Sequence, residues 1–236
     1  DSMHDPANIR LDAMISLAAG ASAYMTPRWR PLLDGPLFGA YGWYAMDGSP
    51  TDRSEAVAEM ARWTADPALA GLWKGGSPVA GNVAILILRE AQASCYARHG
   101  DTRFYEDCVK GAYEAFLASN IQCDFAVPEA LGEARLLYVP YPVAMEDGTV
   151  EALRAWVAAG GTLACEACPG YFDGHGHAFP SQPSRGLDDL FGCRETAASF
   201  APDRDEYATL TGPGLRVSLY RQSYQPTTGR GMATHP

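Results

Sequence analysis

The strongest constraint on this chain is an alternation that starts at Val83. Val83–Leu88 is an unbroken apolar run, and short apolar runs return at Ile121–Val127, Leu136–Val139 and Thr162–Cys165. Between them, Phe104–Ser119 and Asp147–Ala159 carry apolar residues at helical spacing. A strand that is apolar on both faces must be covered on both faces, and a helix between two such strands is the crossover that parallel pairing requires. The pattern predicts an α/β domain with a flavodoxin-like parallel sheet and helices on its two sides. Gly160 and Gly161 close the second helix and turn the chain straight into Thr162, as a left-handed C-cap does. Further on, a long loop over Pro169–Arg185, a short helix at Leu187–Phe191 and a strand at Leu215–Tyr220 are expected.

Upstream of Val83 the pattern is different. Asp5 followed by Pro6 is an N-cap and a first helical position, so a helix is expected over Asp5–Leu17, burying Ile9, Met14, Ile15 and Leu17 and stopping at Gly20. The short apolar run Ala21–Met25 predicts a buried strand that opens into a loop at Thr26 and Pro27. Arg28–Pro50 then sets Trp29, Phe38, Tyr41, Trp43 and Tyr44 among Pro and Gly residues, beside Arg28, Arg30, Asp34 and Asp47. A loop of this length inside a domain is usually functional. Thr51 caps a second helix, Ser54–Trp63. The run Asp66, Pro67, Gly71, Gly75, Gly76, Ser77, Pro78 reads as a boundary between two units, 1–74 and 79–236.

Composition narrows the function classes. With 47% hydrophobic and 19% charged residues the chain can bury a core, and its formal charge of -10 argues against a nucleic-acid partner. The longest apolar stretch is too short to cross a membrane, and Asp1–His4 carries no secretory signal. Six cysteines at irregular spacing in a chain of this size read as reduced thiols, so a cytoplasmic location is expected.

Four constellations have residue types that suit chemistry. Arg89–Ala93, after the first strand, lacks the glycine-rich turn of a nucleotide site. Cys165 and Cys168, with His175 and His177 a short loop away, have donor types that suit zinc, but a single C-x-x-C is a weak signal and no metal or other cofactor is expected. Cys168 sits where a nucleophile elbow would fall after a strand, yet the glycine normally needed two residues earlier is Glu166 and no His-x-Glu follows. The aromatic loop is the better candidate: rings stack on the apolar faces of sugars, while carboxylates and guanidinium groups fix hydroxyls. Trp29, Arg30, Asp34 and Trp43 are the expected substrate-binding residues. Asp34 and Asp47 have no spacing that fixes them as a catalytic pair, and no catalytic residue is assigned.

The segment RLDAMISLAAGASAYMTPRWRPLLDGPLFGAYGWYAMDGSPTDRSEAVAEMARW resembles the last strand and helix of the catalytic barrel in glycoside hydrolase family 42 beta-galactosidases. GNVAILI, FYEDCVKGAYEAFLASNIQCDFAVPE, ARLLYVPYPVAMEDGTVEALRAWVAAGGTLACEACPGYFDGHGHAF and GLDDLFG resemble the same family's trimerisation domain, which has a class I glutamine-amidotransferase-like sheet. The resemblance implies the C-terminal piece of a TIM barrel over 1–74, followed by the trimerisation domain over 79–236, with the ending GRGMATHP read as a truncation. It implies a retaining, two-glutamate glycosidase whose glutamates precede Asp1, so that the chain alone is inactive. A glycoside, further copies of the chain in a trimer, and the front of the barrel are the implied partners. Trp29 is carried over as an aromatic wall of the sugar subsite. The family's sugar-binding Glu and His fall at Leu37 and Ala40 here, which opens the possibility of another glycoside. The alternative from a different class is a noncatalytic flavodoxin-like assembly or carbohydrate-binding module.

Overall fold

The computed structural model describes residues 5–25, 28–39, 42–77, 79–200, 207–209, 216–218 and 220–231. The chain divides into two units, Asp1–Val79 and Ala80–Pro236.

The first unit is helical. α1 (Pro6–Ala18) starts as its sequence dictates, with Pro6 in the first turn and the Ala7 N–H donating to the Asp5 carboxylate at 2.8 Å. Ile9 and Ala13, one turn apart, are its buried residues; Met14 and Ile15, expected to join them, project from the other side and are exposed. α2 (Asp52–Thr64) opens with a capping box between Thr51 and Ser54 and lies beside α1, where Arg10 reaches Glu59 at 2.7 Å. α3 (Pro67–Gly75) corrects the expectation of a breaker run. Asp66 accepts from the Ala68 N–H at 2.8 Å and Pro67 stands in the first turn, the same start signal as in α1. Trp73 of α3 meets Trp63 of α2 edge to face at 5.1 Å.

Ala21–Met25 is not a strand, contrary to expectation: Ser22–Met25 is exposed and outside any ladder. A strand exists only where neighbouring N–H and C=O groups pair with it, and the described residues offer none alongside.

The second unit is built on four parallel strands: β1 (Val83–Leu86), β2 (Cys123–Ala126), β3 (Leu136–Val139) and β4 (Thr162–Cys165), in the order β2-β1-β3-β4. The order reverses between β1 and β3, the place where open sheets of this kind bind their ligands. β1 is buried along its whole length, which is why Val83–Leu86 reads as one apolar block. α4 (Arg89–His99), α5 (Arg103–Ala118) and α6 (Asp147–Ala158) cover the sheet. α4 was not expected; its start has no side-chain cap and its apolar stripe is narrow, with only Ala91 and Cys95 buried. Ala84, Leu86, Leu88, Leu137, Val139 and Leu153 make the main core, and Val83, Ile85 and Cys123 pack with α5 residues in a smaller one. Gly160 has φ +104 and provides the expected left-handed exit from α6.

After β4 the chain runs through the expected loop to α7 (Leu187–Phe191). That loop is held by Gln182, whose amide donates to the Tyr171 and Phe179 carbonyls, and by Arg185, which donates to the Met145 carbonyl at 2.6 Å. β5 (Cys193–Phe200) then pairs antiparallel with β8 (Tyr220–Pro226), and β6 (Tyr207–Thr209) with β7 (Arg216–Ser218). Only part of the expected Leu215–Tyr220 strand falls in the described residues, in β7 and at the start of β8; Leu215 and Leu219 lie outside them.

Leu137 lies in the middle of the main core and has no exposed surface. Leu137→Ala should destabilise the protein by about 2–5 kcal/mol, through lost transfer energy and the cavity left behind. Denaturant unfolding checks this; a loss under about 1 kcal/mol would mean that β3 is not central to the core.

Candidate functional site

The aromatic loop of the first unit is shaped by the start of α2. The Thr51 hydroxyl, besides accepting from Ser54 in the capping box, donates to the Trp43 carbonyl. The Tyr44 N–H in turn donates to the Trp29 carbonyl at 2.9 Å, and that of Trp43 to the Arg28 carbonyl at 3.4 Å. Arg28–Trp29 and Trp43–Tyr44 are thereby clipped side by side. The Trp29 and Tyr44 rings stack with centroids 4.1 Å apart and planes 18° from parallel. Trp29 nevertheless stays 67% exposed, so the pair offers ring surface to solvent. At Gly42 a Cβ would come within 2.4 Å of the Pro31 backbone nitrogen, so the clip requires glycine there.

Of the four expected binding residues, Trp29 and Trp43 are brought together by this clip. Arg30 and Asp34 are exposed. Asp34 sits in the turn that the Gly39 N–H closes on the Leu32 carbonyl. Asp47 is committed to its own turn: hydrogen bonds from the Ser49 hydroxyl and N–H hold its carboxyl below the ordinary aspartate range. Tyr44, the stacking partner of Trp29, was one of several loop aromatics in the sequence, with nothing to single it out. Tyr41 and Ala40 lie outside the described residues.

In the second unit the cysteines and histidines do not converge. Asp173 gathers the backbone N–H groups of His175 and His177, both at 2.9 Å, and the two imidazoles stand 6.5 Å apart in an exposed turn. Cys165 belongs to β4 and Cys168 is buried. Among the described residues no group of three or more His, Cys, Asp or Glu side chains is placed to hold a metal ion.

The backbone at Cys168 is left-handed, φ +63, in a turn that leads into a loop. Its surroundings oppose nucleophilic chemistry. The Cys168 N–H donates to the Gln222 side-chain carbonyl at 2.7 Å, and Gln222 donates to Glu195, which also accepts from the Tyr171 hydroxyl. Burial, reinforced by the Glu195 charge, pushes the Cys168 thiol up to about 12. A nucleophilic thiol needs the opposite shift.

Two more carboxylates fill the ends of the sheet. Glu166 accepts from the Tyr141 N–H at 3.0 Å and the Tyr138 hydroxyl at 3.1 Å. Glu90 accepts from the Thr149 hydroxyl at 2.8 Å and the Glu146 N–H at 3.3 Å, spanning the first turns of α4 and α6. Neither is among the binding residues expected from the sequence. A charged residue directly after an apolar strand, as Glu166 stands after Cys165, was the available signal.

Fold and site together define a doubly wound α/β unit whose strand ends are occupied by its own side chains, preceded by a helical unit with an exposed aromatic clip. Residues 81–235 match the family described as the beta-galactosidase trimerisation domain, and the chain belongs to that family. No curated protein sequence matches it. Among solved structures it is similar to a catalytic mutant of a GH42 beta-galactosidase from G. stearothermophilus, with TM-score 0.82, 20% identity, and coverage of 98% of this chain and 34% of the other. A beta-galactosidase from Halorubrum lacusprofundi gives TM-score 0.80 and 22% identity over 98% of this chain and 34% of its own. An exo-beta-1,4-mannosidase from an Opitutaceae bacterium gives TM-score 0.64 and 16% identity over 98% of this chain and 40% of its own. The chain thus spans about a third of the galactosidase structures that it matches. No described helix is long and apolar enough to cross a membrane.

A free thiol titrates near ~8.5, so the folded state holds the Cys168 proton where the unfolded chain has lost it. Its contribution to stability is intact below that pH and is lost as pH rises toward about 12. Cys168→Ala should therefore flatten the fall of the urea midpoint between about pH 9 and pH 11. An identical slope in both proteins would contradict the buried, protonated thiol.

Proposed function

We propose that this chain is the rear of the catalytic barrel and the assembly domain of a glycoside hydrolase of the beta-galactosidase type. In this reading residues 1–74 complete a (β/α)8 barrel whose other strands come from outside these 236 residues, and Ala21–Met25 becomes a strand only against those neighbours. Residues 79–236 join copies of the chain into a trimer through an amidotransferase-like sheet that has kept the elbow at Cys168 and lost its chemistry. The reaction is retaining hydrolysis by two glutamates outside this chain, one acting as nucleophile and the other as acid and then base.

The observation that carries this reading is a structural likeness that runs through both units. It covers 98% of the chain, whereas the family match begins only at residue 81. The exposed stack of Trp29 on Tyr44 supports a sugar wall, with Trp43, Arg30 and Asp34 around it, because a pyranose presents an apolar face to a ring and hydroxyls to polar neighbours. Leu37 stands where the family's sugar-contacting Glu would fall, and the same fold serves a mannosidase, so the substrate is proposed as a glycoside without commitment to galactose. All six cysteines are unpaired, which supports a reducing, cytoplasmic location.

The purified chain should not hydrolyse an aryl beta-galactoside or beta-mannoside. Turnover that stays with the protein through purification would mean that the catalytic carboxylates are present here after all. Joined to a complementary barrel front, the wild-type chain should restore hydrolysis, and Trp29→Ala should raise KM about tenfold or more, the loss of one aromatic contact. An unchanged KM would remove Trp29 from the subsite.

A further inference from the structure

A cleft of about 520 Å³ opens beyond the carboxyl ends of β1, β3 and β4, walled by the segment that follows each strand: α4, residues 144–146 and residues 173–176. It lies where the strand order reverses between β1 and β3, outside the strand ends that Glu90 and Glu166 fill, and its size is that of a small-molecule site, roughly 300–1,000 Å³. Small residues hold it open. Ala93 and Ala97 stand one turn apart on α4, and at Gly174 and Gly176 a Cβ would meet nothing within 4 Å. Two charges of opposite sign line it, two turns apart on α4. Glu90 is held by the Thr149 hydroxyl at 2.8 Å and the Glu146 N–H at 3.3 Å. Arg98 lies over the Phe172 ring, 3.6 Å from its centroid, with its Nε donating to the Ser94 hydroxyl at 3.4 Å. These partners are hydroxyls, an amide and a ring, so they orient the two charges without neutralising them. Asp173, next to Phe172, accepts the His175 and His177 N–H groups and is committed to its own turn. At the opposite end Glu146 adds a second carboxylate, and two full negative charges outweigh the positive ends of α4 and α6, roughly half a unit each.

We propose that this cleft binds a linear zwitterion, its ammonium group at Glu90 and Glu146 and its carboxylate at Arg98. A ligand of one sign would leave one end of the cleft with an unmatched charge. Glu90 and Arg98 are about 12 Å apart along the α4 axis, and an α-amino acid, with both charges on one carbon, cannot meet both. The class is therefore a short peptide with free termini, or an amino acid whose amine stands at the far end of its chain. Ala144 and Met145, both buried, give the uncharged middle of such a ligand an apolar surface. The cleft is made wholly by the second unit, so it stands or falls separately from the sugar subsite of the first.

The test is isothermal titration of the 236-residue chain with 6-aminohexanoate and with triglycine, against hexylamine, hexanoate and glycine as controls. At least one zwitterion should bind about tenfold or more tightly than every control, because each control lacks one charge or the distance between the two. The order of the two zwitterions separates an amino acid with a terminal amine from a peptide. Ala97→Leu, which fills the cleft without touching a charge, should weaken the tighter zwitterion about tenfold, and Arg98→Gln should erase the advantage of 6-aminohexanoate over hexylamine. Hexylamine bound as tightly as both zwitterions would show that the acidic end acts alone, and overturns the proposal. Absence of saturable binding by either zwitterion up to about 10 mM overturns it as well. Binding that both variants leave unchanged puts the ligand elsewhere, with the same consequence. The wild-type ligand series involves no mutation, and it decides the matter if a variant fails to fold.

Discussion

A parallel sheet flanked by helices leaves its polar obligations at one end. At the carboxyl edge of the strands, loop N–H groups and the first turns of helices lack intrasegment partners, and open sheets of this kind usually meet that need with a bound ligand. Here the chain meets it with its own side chains. Glu90 bridges to the start of α6, Glu166 takes the Tyr141 N–H at the end of β3, and Gln222 takes the Cys168 N–H beyond β4. A buried N–H without a partner costs on the order of 1–3 kcal/mol, so the Glu166 and Gln222 contacts, which lie in part-buried surroundings, matter more for what they prevent than for what they add.

The Gln222 contact has a further consequence. Gln222 belongs to β8, and β8 is paired along its length with β5. The left-handed turn at Cys168 is therefore stabilised by the hairpin as well as by the sheet, through a relay that includes Glu195, Tyr171 and the Tyr224 hydroxyl donating to Gln222. The Cys168 N–H is taken by an amide oxygen, and the thiol of the same residue is kept protonated by burial. The burial that holds this turn also denies its thiol the environment of a nucleophile.

The sequence made the sheet legible because β1, β3 and β4 are short apolar blocks bounded by breakers, and a doubly covered strand can hardly read otherwise. α1 and α2 were legible from their caps. α3 carries the same Asp-Pro start, but Gly71 and Gly75 outweighed it when read by composition. α4 was missed because a helix whose buried stripe is only Ala91 and Cys95 has almost no periodic signal. The β5–β8 pairing joins residues far apart in sequence, and its strands are polar enough to pass for loop. At the site, the aromatic content of the loop was plain, but the stacking of Trp29 on Tyr44 depends on a backbone register that periodicity does not encode. Ala21–Met25 is the instructive miss: its residues suit a strand, and pairing partners, not propensity, decide whether one forms.

The clip in the first unit shows how a helix cap can govern a surface more than ten residues away in sequence. Thr51 has one hydroxyl, which accepts from Ser54 within the capping box and donates to the Trp43 carbonyl outside it. The donated bond fixes the backbone of Trp43, the next residue hydrogen-bonds Trp29, and that backbone pairing places the two rings face to face. Because Gly42 has no room for a Cβ beside Pro31, this arrangement admits no side chain at that position. The ring surface is thus preorganised by helix initiation, and a ligand that stacks on it would meet a platform whose ordering cost has already been met in folding.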